Sequence, residues 1–263
     1  MDLQLDHQTA VVTGSTAGIG LEIARRLAIE GATVIVSGRT ATSVDAAVAS
    51  IQASGGRAVR GVVADVTMAA GADLLLRDAG RVDILVNNLG IYESKPFTEI
   101  TDQDWIRFFD VNVVSGVRLA RAVLPGMLAR NHGRIIFVSS ESALSVPKDM
   151  IHYAVTKTAQ LTIARGLAEL TRGSRVTVNS VLPGPTRSAG IEDFLRSQAS
   201  DPSAPAAAIE AEFFATARAT SLLQRMIEPG EVASLVAYLA SPLASATNGA
   251  AVRVEGGLVP TIA

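Results

Sequence analysis

The sequence contains no cysteine, only three histidines and 4% aromatic residues. Without cysteine the chain has no disulfides, no thiolate chemistry and no cysteine-based metal site, and three scattered histidines argue against a histidine-rich one. An excess of one charge is also lacking, since 23 Lys+Arg stand against 25 Asp+Glu for a net charge of −2. With no basic run, we expect neither a bound metal nor nucleic acid as the main partner.

A targeting or membrane segment is not apparent either. Residues 1–7 have neither the positive flank nor the apolar run of a signal peptide. The longest uncharged apolar stretch, residues 232–252, contains Pro242, so we interpret it as a helix, a turn and a strand. We expect a cytoplasmic protein with no membrane contact.

With 263 residues, 48% of them hydrophobic, the chain can bury a substantial core, and we expect one domain over residues 1–263.

Short β-branched runs alternate with longer helical patterns along the chain. Most of the runs are apolar throughout, which is typical of strands buried on both faces of a parallel sheet. We predict a single doubly wound α/β domain, with a seven-stranded parallel sheet and helices on both faces. The predicted strands are 9–13, 33–37, 59–64, 84–87, 134–139, 176–181 and 251–254, and the predicted helices 19–30, 44–54, 69–79, 102–130, 152–171 and 231–240.

The region between Pro183 and Pro229 has no strand pattern. A connection of this length inside a compact domain is usually functional or mobile. We interpret residues 186–226 as one or two helices that form a substrate lid, and the alternative is a solvated surface insertion. Its large apolar residues are either lid core or pocket lining: Phe194, Leu195, Phe213, Phe214, Leu222 and Leu223.

A glycine-rich turn follows the first predicted strand and opens the first predicted helix. It reads Thr13-Gly14-Ser15-Thr16-Ala17-Gly18-Ile19-Gly20. Glycines let the backbone approach a pyrophosphate without Cβ clashes, and the helix N-terminus offers free N–H groups and a positive dipole end. Because the strand–turn–helix context is present, the turn predicts a dinucleotide site and not an ordinary glycine-rich turn.

The spacing Gly-x-x-x-Gly-x-Gly resembles the short-chain dehydrogenase/reductase family, and further landmarks of that family follow in order. These are Asp65-Val66, Asn87-Asn88-Leu89-Gly90, Asn112, Ser139-Ser140, Tyr153-Ala154-Val155-Thr156-Lys157, Pro183-Gly184 and Gly256-Gly257. The resemblance spans nearly the whole chain. It implies a Rossmann-like fold, a nicotinamide cofactor, hydride transfer to or from a carbonyl or secondary alcohol, and a homotetramer. The chain departs from the family at Leu89, at Glu255 and in a short 65–87 segment.

Tyr153 and Lys157 are four residues apart, so their side chains share one helix face. A tyrosine that acts as acid and base near neutrality needs a pKa well below about 10. A cation nearby in a dry cleft, with the positive nicotinamide, is a plausible source of that shift. Alone, the pair would fit an ordinary surface helix. The resemblance makes Tyr153 the acid/base, Lys157 its partner and Ser140 the group that polarises the substrate oxygen, with Ser139 turned away.

Asn112 is the fourth catalytic residue that the resemblance implies, and its carbonyl is expected to hold a water linked to Lys157. The alternative is a buried polar helix residue. His152 adjoins Tyr153 but is not expected to share its face. We expect the carboxylates at 102/104 and 192/193 to be a helix cap and a solvated edge.

The resemblance also implies a set of cofactor contacts. We predict a preference for NADP(H), with NAD(H) possible, because Gly38 occupies the position where many NAD-using relatives carry Asp and Arg39 follows at once. Ala17 stands where many NADP-using relatives place a second basic residue, and Arg39 could instead be solvated or stack on adenine. The predicted contacts are Gly14, Ser15, Thr16, Gly18, Ile19, Gly20, Arg39, Asp65, Val66, Asn88, Gly90, Tyr153, Lys157, Pro183, Gly184, Thr186 and Ser188.

The predicted partner is a small, largely apolar carbonyl or alcohol substrate. Arg187 and Arg196 near the lid leave a carboxylate or phosphate group on the substrate open. Two other functions compete: an NAD-dependent secondary-alcohol dehydrogenase on the same site, and a regulator that senses dinucleotide without chemistry. The regulator would be expected to lose Tyr153 or Lys157, and a purely structural role in an oligomer fits the complete motif least.

Overall fold

The computed structural model describes residues 1–262. Within this range seven strands form one parallel sheet in the order β3-β2-β1-β4-β5-β6-β7. The strands are β1 Thr9–Val12, β2 Thr33–Gly38, β3 Val59–Val63, β4 Ile84–Asn87, β5 Gly133–Val138, β6 Val176–Pro183 and β7 Ala251–Val254. The α-helices are α1 Gly18–Ile29, α2 Ala41–Ala53, α3 Ala69–Ala79, α4 Asp102–Phe109, α5 Ser115–Ala129, α6 Ile151–Glu169, α7 Ala189–Gln198, α8 Ala206–Thr216 and α9 Pro229–Ala240.

The sheet is covered on both faces, which confirms the predicted doubly wound fold. Strands β4, β5 and β6 are buried along their whole length, as their largely apolar sequences suggest, and they also bury the polar residues Arg134 and Asn179. Helices α1, α2 and α9 contribute to one core cluster, and α3, α5 and α6 to a second cluster on the other face. Strand order reverses between β1 and β4, so the carboxyl ends of these strands flank the crevice where open α/β sheets bind ligands.

The predicted helix 102–130 is not uniform. Its first turn has a capping box between Thr101 and Asp104, in agreement with the expected helix cap at 102/104. Residues Asp110–Val114, however, form a π-helical turn between α4 and α5. The stretch Asp102–Ala129 is apolar and long enough to cross a membrane by length and composition alone. Buried core helices pass the same test, and this one buries Phe108, Leu119 and Met127 inside the protein.

Two helices, α7 and α8, occupy the segment predicted as a lid. Leu195, Phe213 and Phe214 form a small core there with Ile209 and Met226, apart from the two sheet clusters. Leu222 is 83% exposed and belongs to no core. A single parallel bridge between Thr186 and Ile227 joins the two ends of the segment, so it is a compact unit on a narrow base.

Candidate active site

The glycine turn between β1 and α1 has the shape that a pyrophosphate requires. Gly14 and Gly18 adopt φ of +61° and +54°, which side chains rarely allow. A Cβ at Gly20 would lie 2.4 Å from Nδ2 of Asn88 and 2.5 Å from the Gly14 carbonyl oxygen. The Asn88 amide closes the turn by donating to the carbonyls of Thr13 and Gly14 at 3.0 and 3.2 Å. Only glycines fit this cradle, and its backbone fits the predicted dinucleotide.

Ser15 and Thr16 lie in the turn but face the protein. The Ser15 hydroxyl donates to the Val12 carbonyl at 2.6 Å and accepts from the Ser37 amide at 2.9 Å. The whole residue is buried, and its backbone N–H donates to the Ser37 carbonyl at 3.1 Å, so Ser15 shapes the turn from inside the protein. The Thr16 methyl would lie 2.4 Å from a Cβ at Gly38. A side chain such as Asp at position 38 would therefore require Thr16 to move.

Arg39, Asp65 and Val66 follow β2 and β3 at the same sheet edge. Arg39 is exposed and has no hydrogen-bond or ion-pair partner within residues 1–262. Its charge lowers the pKa of the Asp65 carboxyl, although the larger cause is the hydrogen bond from the Thr67 hydroxyl. Val66 is buried. These residues lie outside the main cavity, in positions that suit the adenosine end of a dinucleotide.

Tyr153, Ser140 and Lys157 come together at the carboxyl end of β5. Ser140 and Tyr153 line the same cavity, and hydrogen bonding by the Ser140 side chain lowers the pKa of the Tyr153 phenol. Lys157 Nζ lies 5.6 Å from the centre of the Tyr153 ring and donates to the Val138 carbonyl at 2.9 Å. The Ser139 hydroxyl instead donates to the Lys157 carbonyl at 2.8 Å. The neighbouring serines thus have different surroundings, with Ser140 at the tyrosine.

Asn112 is held in the π-helical turn behind this group. Its side chain accepts from the Ile91 amide at 2.8 Å and donates to Thr156 Oγ1 at 3.0 Å. Its carbonyl, expected to hold a water, accepts a hydrogen bond from Gln160 Nε2 at 2.6 Å. Gln160 Oε1 in turn lies 3.4 Å from Lys157 Nζ. The Gln160 amide therefore links Asn112 directly to Lys157, a contact that the sequence analysis missed.

Burial controls the titration of this group. Desolvation, followed by the negative charge of Glu141, raises the pKa of the Tyr153 phenol, while the Ser140 hydrogen bond lowers it. The sequence analysis expected a lowered pKa, and the described protein groups alone do not produce one. Desolvation also lowers the pKa of Lys157 to about 8. At neutral pH the phenol is thus protonated and Lys157 largely cationic.

A cavity of about 510 Å³ runs from the glycine turn to the lid. Twelve of the predicted cofactor contacts line it, and Ser15, Thr16, Arg39, Asp65 and Val66 do not. The lid contributes Ile191, Phe194 and Phe213 to its wall. Tyr92 packs edge-on against Tyr153 and against Phe194 of the lid, with ring centroids 6.5 and 6.3 Å apart. It therefore lies between Tyr153 and the lid. Tyr153 thus faces a partly open and partly apolar cleft.

Two charged residues that the sequence analysis missed also line this cavity. Glu141 follows Ser140 and is buried, and Arg218 follows α8. Glu141 accepts a hydrogen bond from Ser140 at 2.5 Å, and its other carboxylate oxygen lies 3.7 Å from Arg218 Nε. No local signal marks this pair, because its members are far apart in sequence and meet only when the lid folds.

Several other candidates are engaged elsewhere. His152 is fully buried against Phe108, at 4.1 Å between ring centroids, and does not line the cavity. Arg187 pairs with Glu210 at 3.1 Å and Glu228 at 2.9 Å, which ties the base of the lid.

Three further positions have structural partners. Arg196 donates to the Pro202 carbonyl at 3.1 Å. Glu255, one of the departures from the family, accepts from the backbone amides of Leu258 and Val259. Leu89 lines the cavity and also packs against the second core cluster. Residues 1–262 contain no group of three or more His, Cys, Asp or Glu side chains arranged for a metal ion.

A glycine cradle and a Tyr–Lys–Ser group at one sheet edge define the class of dinucleotide-dependent oxidoreductases with a Rossmann-like fold. The sequence profile described as short chain dehydrogenase matches residues 8–199. The chain is 46% identical over 263 residues to the uncharacterized oxidoreductase YvaG of Bacillus subtilis, covering 100% of both proteins. The chain therefore belongs to the short-chain dehydrogenase/reductase family and is an oxidoreductase.

Two solved structures show how widely similar proteins differ. L-sorbose reductase from Gluconobacter frateurii, complexed with NADPH and L-sorbose, matches with a TM-score of 0.91 and 29% identity over 100% of both chains. The 7α-hydroxysteroid dehydrogenase complexed with NADH and 7-oxoglycochenodeoxycholic acid matches with a TM-score of 0.84 and 31% identity, over 100% of this chain and 98% of that one. Similar structures thus contain either nicotinamide dinucleotide, with a sugar or a steroid.

Proposed function

We propose that this protein transfers a hydride between NADP(H) and the carbonyl or secondary-alcohol carbon of a small molecule. The observation that carries the proposal is that Ser140, Tyr153 and Lys157 line one cavity with the glycine cradle, with Lys157 Nζ 5.6 Å from the centre of the Tyr153 ring. The bound nicotinamide dinucleotide supplies or accepts the hydride. The chain's own residues bind the dinucleotide, orient the substrate oxygen and move a proton.

Tyr153 is the proton donor to the carbonyl oxygen during reduction. Its raised pKa keeps the phenol protonated at neutral pH, which is the form that donates. Ser140 donates a second hydrogen bond to the same oxygen when its hydroxyl proton turns from Glu141, to which it donates in the structure. Lys157 brings a positive charge close to the phenol ring and stabilises the phenolate that remains after transfer. Asn112 and Gln160 hold Lys157 in place through the contacts described above.

The preference for NADP(H) rests on the loop after β2. Arg39 is exposed and makes no hydrogen bond or ion pair with the described residues, so its guanidinium is available to a ribose 2′-phosphate. Gly38 provides no carboxylate to repel that phosphate, and Thr16 occupies the adjacent space. Of the solved structures above, one contains NADPH and the other NADH. Use of NAD(H) at the same site is the second candidate.

We test the catalytic assignment with Tyr153→Phe. Removal of the hydroxyl should lower kcat with a ketone panel by at least about 1,000-fold, within the range expected for loss of a positioned proton donor plus its hydrogen bond. Dinucleotide binding, followed by fluorescence titration, should stay within about threefold of wild type, because the glycine cradle is separate. Tyr92→Phe, at the neighbouring ring, is the matched control. Activity of Tyr153→Phe within threefold of wild type would remove Tyr153 from this role.

The same titration separates an enzyme from a sensor. A dinucleotide-sensing regulator would bind NADPH or NADH but consume neither with any carbonyl in the panel. Steady consumption by wild type that is lost in Tyr153→Phe excludes that function.

A further inference from the structure

Glu141 and Arg218 bring opposite charges into the cavity from two different walls. Glu141 stands at the carboxyl end of β5, and Arg218 comes from the lid segment after α8. Glu141 Oε1 and Arg218 Nε are 3.7 Å apart, which is too long for a hydrogen bond. The Nε atom is buried and has no hydrogen-bond partner within residues 1–262. A buried N–H without an acceptor is costly, so the pair is incomplete without a further polar group.

The position of this pair relative to the tyrosine limits what that polar group can be. The Ser140 hydroxyl donates to the Glu141 carboxylate at 2.5 Å, and both residues line the same cavity as Tyr153 and Arg218. A substrate oxygen held by Ser140 and Tyr153 therefore has Glu141 as its next neighbour. Because Arg218 Nε lies 3.7 Å from Glu141 Oε1, a substituent on the carbon beside the carbonyl that reaches Glu141 also reaches Arg218.

Three kinds of substituent can be compared at this point. An alkyl group would leave Arg218 Nε without an acceptor and the Glu141 carboxylate facing an apolar surface. A carboxylate would satisfy Arg218 but would place a second negative charge beside buried Glu141. A hydroxyl group satisfies both, because its O–H donates to Glu141 and its oxygen accepts from Arg218.

We propose that Glu141 and Arg218 form a hydroxyl-binding site that selects carbonyl substrates with a hydroxyl group on the adjacent carbon, that is, α-hydroxy ketones. The inference rests on the proposed function and narrows its substrate class. Reduction adds a hydride to the carbonyl carbon and the Tyr153 proton to its oxygen, so the product is a vicinal diol and the dinucleotide is oxidised. The expectation of a largely apolar substrate is thereby replaced.

The rest of the cavity is compatible with such a substrate. Arg218 is held over the Phe213 ring, with Cζ 5.4 Å from its centre, and donates to the Ala217 carbonyl at 2.9 Å. Ser142 adds a hydroxyl 3.3 Å from the Glu141 carboxylate. Met150 and Phe194 line the cavity as well and provide apolar contact for the remaining carbon chain.

The test compares hydroxyacetone, butanone and pyruvate, which have similar size and differ at the substituent beside the carbonyl. Wild type should reduce hydroxyacetone with a kcat/KM roughly 10- to 100-fold above that for butanone, as expected for hydrogen bonds to charged groups. Pyruvate should be the poorest of the three. Glu141→Ala and Arg218→Gln should each bring the hydroxyacetone-to-butanone ratio down by about tenfold or more, and Glu141→Gln should restore part of it.

The matched control is Glu192→Gln, an exposed carboxylate on α7 outside the cavity, which should keep the wild-type ratio. Equal use of hydroxyacetone and butanone by wild type, or preference for pyruvate, would overturn the inference and leave the proposed function standing. If the Glu141 variants do not fold, the wild-type ratio and the Arg218→Gln ratio decide. Failure with all three carbonyls, while other ketones of the panel are reduced, would overturn the inference alone, and failure with the whole panel would reject the proposed function as well.

Discussion

Lys157 should make the ligand-free protein less stable at neutral pH than a neutral side chain in the same place. Burial lowers its pKa from 10.5 to about 8, with only partial compensation from Glu141. In the unfolded chain the Lys157 ammonium keeps its ordinary pKa. Below pH 8 the side chain stays protonated in the folded protein, where burial disfavours the charged form, so folding carries a free-energy cost. The shift corresponds to a cost of about 3 kcal/mol at pH 7.

The sign of this cost fixes its pH dependence. Below the folded-state pKa the full cost is present, and between that value and 10.5 the folded protein releases a proton that the unfolded chain retains. Stability therefore rises with pH in this window, and the cost falls to about 1 kcal/mol near pH 9.5.

Lys157→Met removes the titrating group while keeping a chain of similar length. Between pH 7 and pH 9.5 the free energy of unfolding of wild type should rise by about 2 kcal/mol relative to that of Lys157→Met. Lost hydrogen bonds to Val138 and Gln160 lower the variant's stability by a pH-independent amount, so only the change with pH is read. Urea unfolding of the ligand-free proteins measures it. Lys148→Met, at an exposed lysine, is the control and should show no such change. A pH-independent difference would refute a buried, destabilised ammonium.

Three further predictions concern the cofactor, the lid and the assembly. Arg39→Ala should reduce the ratio of kcat/KM for NADPH to that for NADH by about 10- to 100-fold, the value of one partly exposed Arg–phosphate contact, and equal or better use of NADH by wild type would contradict the assignment. Arg57→Ala, at another exposed arginine, is its control. Backbone amides in 190–220 should exchange with deuterium faster than those of β4 and β5 and become protected when substrate and cofactor bind, because the segment has its own small core; equally slow exchange in both states would count against a lid. Light scattering at micromolar concentration should give a homotetramer, since α4 exposes Ile106 and α6 exposes Val155 on their outer faces, and a monomer would exclude it.

The fold was predictable because its signals are local. Mostly apolar runs marked the strands, and the glycine turn marked the start of the first helix. The carboxyl ends of parallel strands lie at one edge of the sheet. This brings Ser140 and Tyr153 together at that edge, although they belong to different elements. These features depend on short segments whose sequence pattern reports their structure directly.

The residues that were missed depend on tertiary contacts. Glu141 appeared as one more residue after a strand, and Arg218 as a charge in a long connection, until the folding of α8 brought them together. Gln160 lies three residues after Lys157, so helical spacing could have indicated that the two share a face. The raised pKa of Tyr153 was also missed, because burial, its largest cause, is not visible in a motif.

The π-helical turn at Asp110–Val114 makes the length of this part of the chain a structural requirement. Such a turn holds one residue more than an α-helical turn, so α4 and α5 form one rod whose two halves are out of phase. Deleting a single residue would merge them into a regular helix and rotate one half against the other by about 100°. Phe108 in the core and Asn112 behind the tyrosine could then no longer both keep their places. A substitution on the outer face of this rod changes the surroundings of one residue. An insertion or deletion instead rotates every residue that follows it in the rod.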